Sequence, residues 1–361
     1  MNRRIIGAAA AAAALALAAV TFHAPAADKL KVGFIGVGPI GDLGWTFQHD
    51  VGRQAMVKAL GDKVDTTFVE NVPEGADAER AIEQLARTGH KLIFTTSFGF
   101  MDPTIKVAAK YPNAFFEHCT GFKRAANVST YAARFYEGRY IQGQIAAKMS
   151  KTGVIGYIVS FPIPEVISGI NSTMLGAQSI NPNMKIKIVW VNSWFDPPKE
   201  ADAAKALVDQ GADILTQHTD SPAAMQIAEQ RGIHAFGQSS DMIKFGPKAQ
   251  LTADTDYWGN YYTERAQAVL DGKWKSEDTW GGLKAGMVVM SLYTNMPDDV
   301  KKMAMETEAA IKGGTLHPFK CPVVDQDGKT IECKGGTHLD DGQILSMNFY
   351  VKGIDDKVPG K

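Results

Sequence analysis

Residues 31–41 read Lys31-Val-Gly-Phe-Ile-Gly36-Val37-Gly38-Pro39-Ile40-Gly41, an apolar run of strand length that gives way to glycines. A helical pattern follows from about Trp45 to Leu60, and then a second β-prone run, Asp65-Thr-Thr-Phe-Val-Glu. Two strands joined through a helix must run in the same direction, so this opening unit predicts a parallel sheet. The glycines form a literal G-x-G-x-x-G, which in a dinucleotide-binding loop would hold a pyrophosphate on backbone N–H groups. Pro39 removes one of those donors, the helix begins several residues late, and no acid ends a strand about twenty residues on. A loop that lets a ligand approach the backbone is the better reading.

The same alternation continues outward. Ala76 to Thr88 carries a helical stripe, Lys91-Leu-Ile-Phe-Thr-Thr is a third strand, Pro103 to Lys110 a helix and Ala114-Phe-Phe-Glu-His a fourth strand. It resumes with a helix at Gly138 to Met149, a strand at Val154-Ile-Gly-Tyr-Ile-Val and a helix from about Ile163 to Ile180. Further strands fall at Lys185 to Val191, Ile214 to His218, His234 to Gly237 and Gln250 to Asp254. Two blocks with one plan predict an α/β protein of two doubly wound parallel-sheet lobes, with a ligand cleft where their strand ends face each other. The expected division is 28–130 with about 255–285 in the first lobe, and 131–254 with about 286–361 in the second.

Composition agrees with a globular protein. The 361 residues include 38 Lys plus Arg against 39 Asp plus Glu, a net charge of −1 that gives no electrostatic footprint for nucleic acid. The first 26 residues have the form of an export signal: Met1-Asn-Arg-Arg, an apolar run from Ile5 to Val20, and Ala24-Pro25-Ala26 as the cleavage pattern. That run falls short of the roughly 20 residues of a membrane span, and no cysteine lies nearby to carry a lipid. Periplasmic delivery without an anchor is therefore expected. In an oxidising compartment Cys321 and Cys333, which flank an Asp327-Gly328 turn between β-prone runs, are expected to form a disulfide, while Cys119 reads as a buried small side chain.

Candidate ligand contacts lie after the strands. Asp42 or Thr46 could cap the first helix, and Trp45 at its start could serve as a stacking plate. Aromatic residues recur at Phe98 and Phe100 and at Trp194 and Phe195, suggesting a flat ligand held between rings. Polar clusters at His218, Thr219 and Asp220 and at Ser239, Ser240 and Asp241 could read its edge. The eight histidines include no H-E-x-x-H, and there is no C-x-x-C and no G-x-S-x-G, so neither a metal site nor a nucleophile is expected, and no cofactor.

In this order the segments Asp42-Leu-Gly-Trp-Thr-Phe-Gln-His-Asp, Ser97-Phe-Gly-Phe-Met-Asp, Arg134-Phe-Tyr-Glu-Gly-Arg-Tyr-Ile-Gln-Gly, Ser193-Trp-Phe-Asp-Pro-Pro-Lys, Gly237-Gln-Ser-Ser-Asp-Met and Gly282-Leu-Lys-Ala-Gly resemble the basic membrane protein family of extracytoplasmic solute receptors. That family includes purine nucleoside receptors of ABC importers. The resemblance implies a type I periplasmic binding fold, two lobes joined by three crossings, and a partner permease in the inner membrane. It places Trp45 and Trp194 at the positions of the two aromatics that sandwich the purine, and Asp241 at an acid of the family's Gly-x-x-Ser-Asp segment. Where relatives carry an acid upstream of the first aromatic, this chain has Gly36, a departure that suits a free base such as adenine at least as well as a nucleoside. The expected function is thus a non-catalytic, monomeric receptor for a purine, with Trp45, Thr46, Phe98, Trp194, His218, Asp220, Ser240 and Asp241 at the site. A non-purine solute, an exported nucleoside-processing enzyme with His49 or His218 as base, and a signalling receptor are the rival readings.

Overall fold

The computed structural model describes residues 28–360, so the export segment expected at 1–26 lies outside the described residues. The chain begins β1 (Leu30–Ile35), α1 (Trp45–Leu60), β2 (Val64–Val69), α2 (Ala76–Arg87), β3 (Leu92–Thr95), α3 (Met101–Lys110), β4 (Phe115–Cys119), β5 (Val128–Ala133). A second run follows: α4 (Phe135–Met149), β6 (Val154–Val159), α5 (Pro164–Gln178), β7 (Lys185–Trp190), α6 (Pro197–Asp209), β8 (Ile214–His218), α7 (Ala223–Arg231), β9 (His234–Ser239) and β10 (Gln250–Asp256). The remainder is α8 (Gly259–Leu270), β11 (Asp278–Gly281), β12 (Val288–Met290), α9 (Asp298–Lys312), β13 (Val323–Val324), β14 (Thr330–Ile331) and α10 (Asp341–Leu345).

Two six-stranded sheets result. The first has the order β2-β1-β3-β4-β5-β11 with every pair parallel, and the second β7-β6-β8-β9-β10-β12 with only β12 antiparallel. Central strands such as β3 bury every side chain, as parallel strands covered by helices on both faces must. Helix α2 buries Ala78, Ile82, Leu85 and Ala86, the face that covers the first sheet. In both sheets the order reverses beside the first strand, β1 or β6, and open α/β sheets bind ligands outside the strand ends at such a reversal.

The chain passes between the sheets three times, at Arg134, at Tyr257 and Trp258, and through 282–287. The crossings bond to one another: Arg134 N donates to Gly281 O at 2.8 Å and Tyr257 N to Met287 O at 3.0 Å. Strand β5 carries the first sheet to Ala133, past the expected division at 130, because Val128-Ser-Thr-Tyr-Ala-Ala pairs with β4. The segment after α9 wraps the second lobe. Its β13–β14 hairpin is closed by the Cys321–Cys333 disulfide, with Gly328 supplying the positive φ of the turn, while Cys119 is free and buried in β4. Asn171 on α5 holds the tail in place, donating to Phe349 O at 2.7 Å and accepting from Val351 N at 3.0 Å.

Helices α4 and α5 approach so closely that a Cβ on Gly143 would overlap the Thr173 carbonyl, and one on Gly176 the Tyr140 carbonyl. The obstacle is backbone, which cannot swing aside. Gly176→Ala is expected to lower the unfolding free energy by roughly 1–3 kcal/mol, read as a lower urea midpoint with unchanged far-ultraviolet dichroism.

Candidate functional site

The loop after β1 is organised by one carboxylate. Asp42 accepts from the N–H groups of Gly44 at 2.9 Å, Thr46 at 2.8 Å and Phe47 at 3.0 Å, and so fills the N-terminus of α1 from within. An external anion has no place left there, which is the structural reason the glycine motif is not a phosphate loop. Thr46 is buried beneath the loop and accepts from Gly38 N at 3.3 Å. A Cβ on Gly36 would lie 2.7 Å from Thr46 Cγ2 and 2.9 Å from the Phe68 ring, so this position is closed to a side chain.

The strand ends of the two sheets meet. Trp45, Ser97, Phe98 and Thr120 from the first lobe and Ile163, Glu165 and Trp194 from the second line one small cavity of about 20 Å³. Trp45 is held by its indole N–H, which donates to Thr96 O at 2.7 Å, and it packs edge-on against Trp258. Trp194 leans on Phe161 with ring centroids 5.2 Å apart, and its indole nitrogen is buried without a protein partner among the described residues. His218 lies behind it, with Nε2 3.5 Å from Glu165 Oε1 and Nδ1 also buried and unpartnered. Thr219 Oγ1, Gln238 Oε1 and both oxygens of Asp256 share that condition. Buried polar atoms normally find partners, and these atoms lie at or just beyond the strand ends that face the opposite lobe.

The lobes touch directly. Ser240 Oγ donates to Leu43 O across the gap, and a Cβ on Gly44 would overlap the carbonyl of Asp220. A space of about 20 Å³ holds about one water, so a heterocycle enters only when the lobes part. Asp220 is buried in this contact with its amide donating to Trp194 O at 2.9 Å; burial raises its carboxyl well above the usual range, and Asp42 and Glu200 raise it further. Burial likewise pushes Asp42 up to about 6, against the lowering effect of the N–H groups it accepts from.

Of the residues expected from sequence, the structure brings Trp45, Phe98 and Trp194 to one cavity, His218 and Asp220 to its rear, and Thr46 and Ser240 to the loop and closure contacts. Asp241 it does not bring there. That residue is exposed, and its carboxylate accepts from Ile243 N at 3.0 Å and Gln250 Nε2 at 2.7 Å, holding its own loop. Glu165, Thr120 and Asp256 escaped sequence reading. Glu165 looks like an ordinary acid in the first turn of a helix, and only the facing lobe gives it a role. Among the described residues no cluster of His, Cys, Asp and Glu could hold a metal ion, and no helix is long and apolar enough to cross a membrane.

Residues 29–315 match the family model of PnrA-like ABC transporter substrate-binding proteins. The chain belongs to that family. Over 336 residues, 93% of this chain and 96% of the other, it is 66% identical to a purine-binding protein of Brucella abortus. It is 34% identical over 92% of its length, and 82% of the other, to a candidate ABC transporter glucose-binding protein of Haloferax volcanii. Among solved structures it is similar to an ABC transporter solute-binding protein from Aeropyrum pernix K1, with a TM-score of 0.71 at 20% identity over 81% of this chain and 94% of that one. The fold is the type I periplasmic binding fold, and the protein is the substrate-binding component of an ABC transporter, a class that works outside the cytoplasmic membrane.

Two outcomes follow from the closure contact. Gly44→Ala is expected to hold the lobes apart, giving a larger radius of gyration by small-angle X-ray scattering under conditions where the parent chain is compact. Between about 3.8 and 6 the native chain keeps the Asp42 proton that the unfolded chain has lost. The native state then binds more protons, so this group's contribution to stability falls as pH rises through that window. Asp42→Asn should flatten that part of the urea-midpoint profile; an unchanged slope would assign it to other groups.

Proposed function

We propose that this receptor captures a purine, either a free base such as adenine or a nucleoside, and delivers it to an ABC permease in the inner membrane. The observation that carries the reading is the convergence of Trp45 and Trp194, from opposite lobes, on one cavity. Two indoles brought together by lobe closure form the two plates a flat heterocycle needs, each worth about 1–3 kcal/mol by analogy with base stacking. The edge would be read by Glu165 and His218, with Thr219 and Gln238 behind, and a ligand that leaves such groups unpaired is rejected. The purine-binding relative of Brucella abortus supports this choice of ligand. Gly36, which cannot admit an acid, favours a base over a ribose-bearing ligand.

Residues 1–26 would direct export and be removed near Ala26, leaving a soluble periplasmic monomer with no lipid anchor, no cofactor and no catalytic step on its ligand. Titration calorimetry tests the ligand. Adenine, hypoxanthine or adenosine is expected to bind more tightly than about 100 μM, and Trp194→Ala to weaken binding by roughly tenfold to a hundredfold. Binding of glucose, with none of the purines bound, would overturn the assignment, and conversion of adenosine by micromolar protein would overturn the non-enzymatic reading.

A further inference from the structure

Beside the tryptophan cavity lies a larger chamber of about 100 Å³. The two spaces share Phe98, Thr120, Ile163 and Glu165 as common walls, so anything held between the tryptophans borders the chamber directly. Its far side is mostly apolar: Ala132 and Ala133 from β5, Phe135 from α4, and Trp280 from β11. The outer wall is Ile344 and Leu345 of α10, which comes from the segment after residue 315, beyond the span matched to the family.

That wall is built to stay in place. Helix α10 starts with a reciprocal cap in which Asp340 and Gln343 satisfy each other's backbone N–H. Gln343 Nε2 also donates to Glu332 O at 2.7 Å and its Oε1 accepts from Lys334 N at 3.1 Å, tying the helix to the disulfide hairpin. Arg134 grips Asp341 with two bonds of 2.7 and 2.6 Å. Ile344 is buried, while Leu345 is 49% exposed at the rim.

We infer that this chamber is a second subsite, which accepts an apolar substituent of about four or five carbons carried by the heterocycle bound between Trp45 and Trp194. The volume decides the size: an apolar protein cavity of about 150 Å³ admits a benzene ring, so about 100 Å³ suits a short branched chain. The lining decides the chemistry: most of the wall is apolar and its two charged members, Glu165 and Asp278, are acids, so a phosphorylated or otherwise anionic appendage would be both desolvated and repelled. The inference rests on the purine reading above.

Its test is a calorimetric series on the full mature chain with adenine and with adenines bearing methyl, butyl or isopentenyl groups at N6 or at N9. In at least one of the two positions affinity is expected to climb with chain length, by about two- to fourfold per carbon. Ala132→Leu, which fills the chamber, and Leu345→Glu, which charges its rim at a half-exposed position, should each weaken the butyl or isopentenyl ligand at least tenfold while changing adenine less than twofold. If adenine binds and no longer chain is tolerated at either position, the subsite is overturned alone. The same holds if Ala132→Leu weakens adenine equally, for the chamber would then house the base itself. If neither adenine nor any derivative binds, the purine reading falls first and takes the subsite with it.

Discussion

Two sheets that point their strand ends at one gap bury polar groups there wherever the lobes meet. The contact that sets how far they close is the approach of Gly44 to the Asp220 carbonyl, with Ser240 bonded to Leu43 beside it. No side chain intervenes, so the limit is backbone against backbone and cannot be relaxed by a rotamer change. The loop that makes this approach is rigid because Asp42 ties three of its N–H groups into the start of α1. Asp42 and Asp220 are thereby brought into low-dielectric surroundings, where each prefers to be neutral.

The lobes share this gap unequally. The first contributes rings and loop backbone, with Trp45 anchored on Thr96 and Gly36 packed against Thr46 and Phe68. The second contributes most of the unpaired polar atoms, from Trp194, His218, Thr219 and Gln238. In the proposed complex each lobe would supply one ring to a face of the ligand, while the edge would be read mainly from the second lobe. Absence of a side chain at Gly36 belongs to the same design, because an acid would force apart the helix start that positions Trp45.

Much of this was legible in the chain. Hydrophobic runs and helical stripes gave the two α/β blocks, and aromatic residues after three strands pointed to the gap. What escaped has physical reasons. Val128-Ser-Thr-Tyr-Ala-Ala is a strand because it pairs with β4, and its mixed polarity gives no periodic signal of its own. Asp241 stands in a segment shared with the family, yet whether a carboxylate turns toward the cleft or back to Ile243 and Gln250 depends on the local loop, which spacing does not encode. Glu165 and Thr120 acquire meaning only when the opposite lobe is brought against them.

The tail after residue 315 bears on the hinge as well as on the cleft. Arg134 is itself one of the three crossings, and it reaches both ways: its Nε donates to Trp280 O at 3.0 Å in the first sheet, and its terminal nitrogens clasp Asp341 of α10 on the second lobe. An exposed ion pair alone contributes little, but a two-pronged one that ends on a capped helix resists being swivelled. The other crossings are held as well, Tyr257 N donating to Met287 O at 3.0 Å and Leu283 N to Glu137 Oε2 of α4 at 2.7 Å, so each of the three is braced by its neighbours. The tail that walls the chamber is thus tied directly to one of the three crossings, and chamber and hinge share a single fixed element, α10.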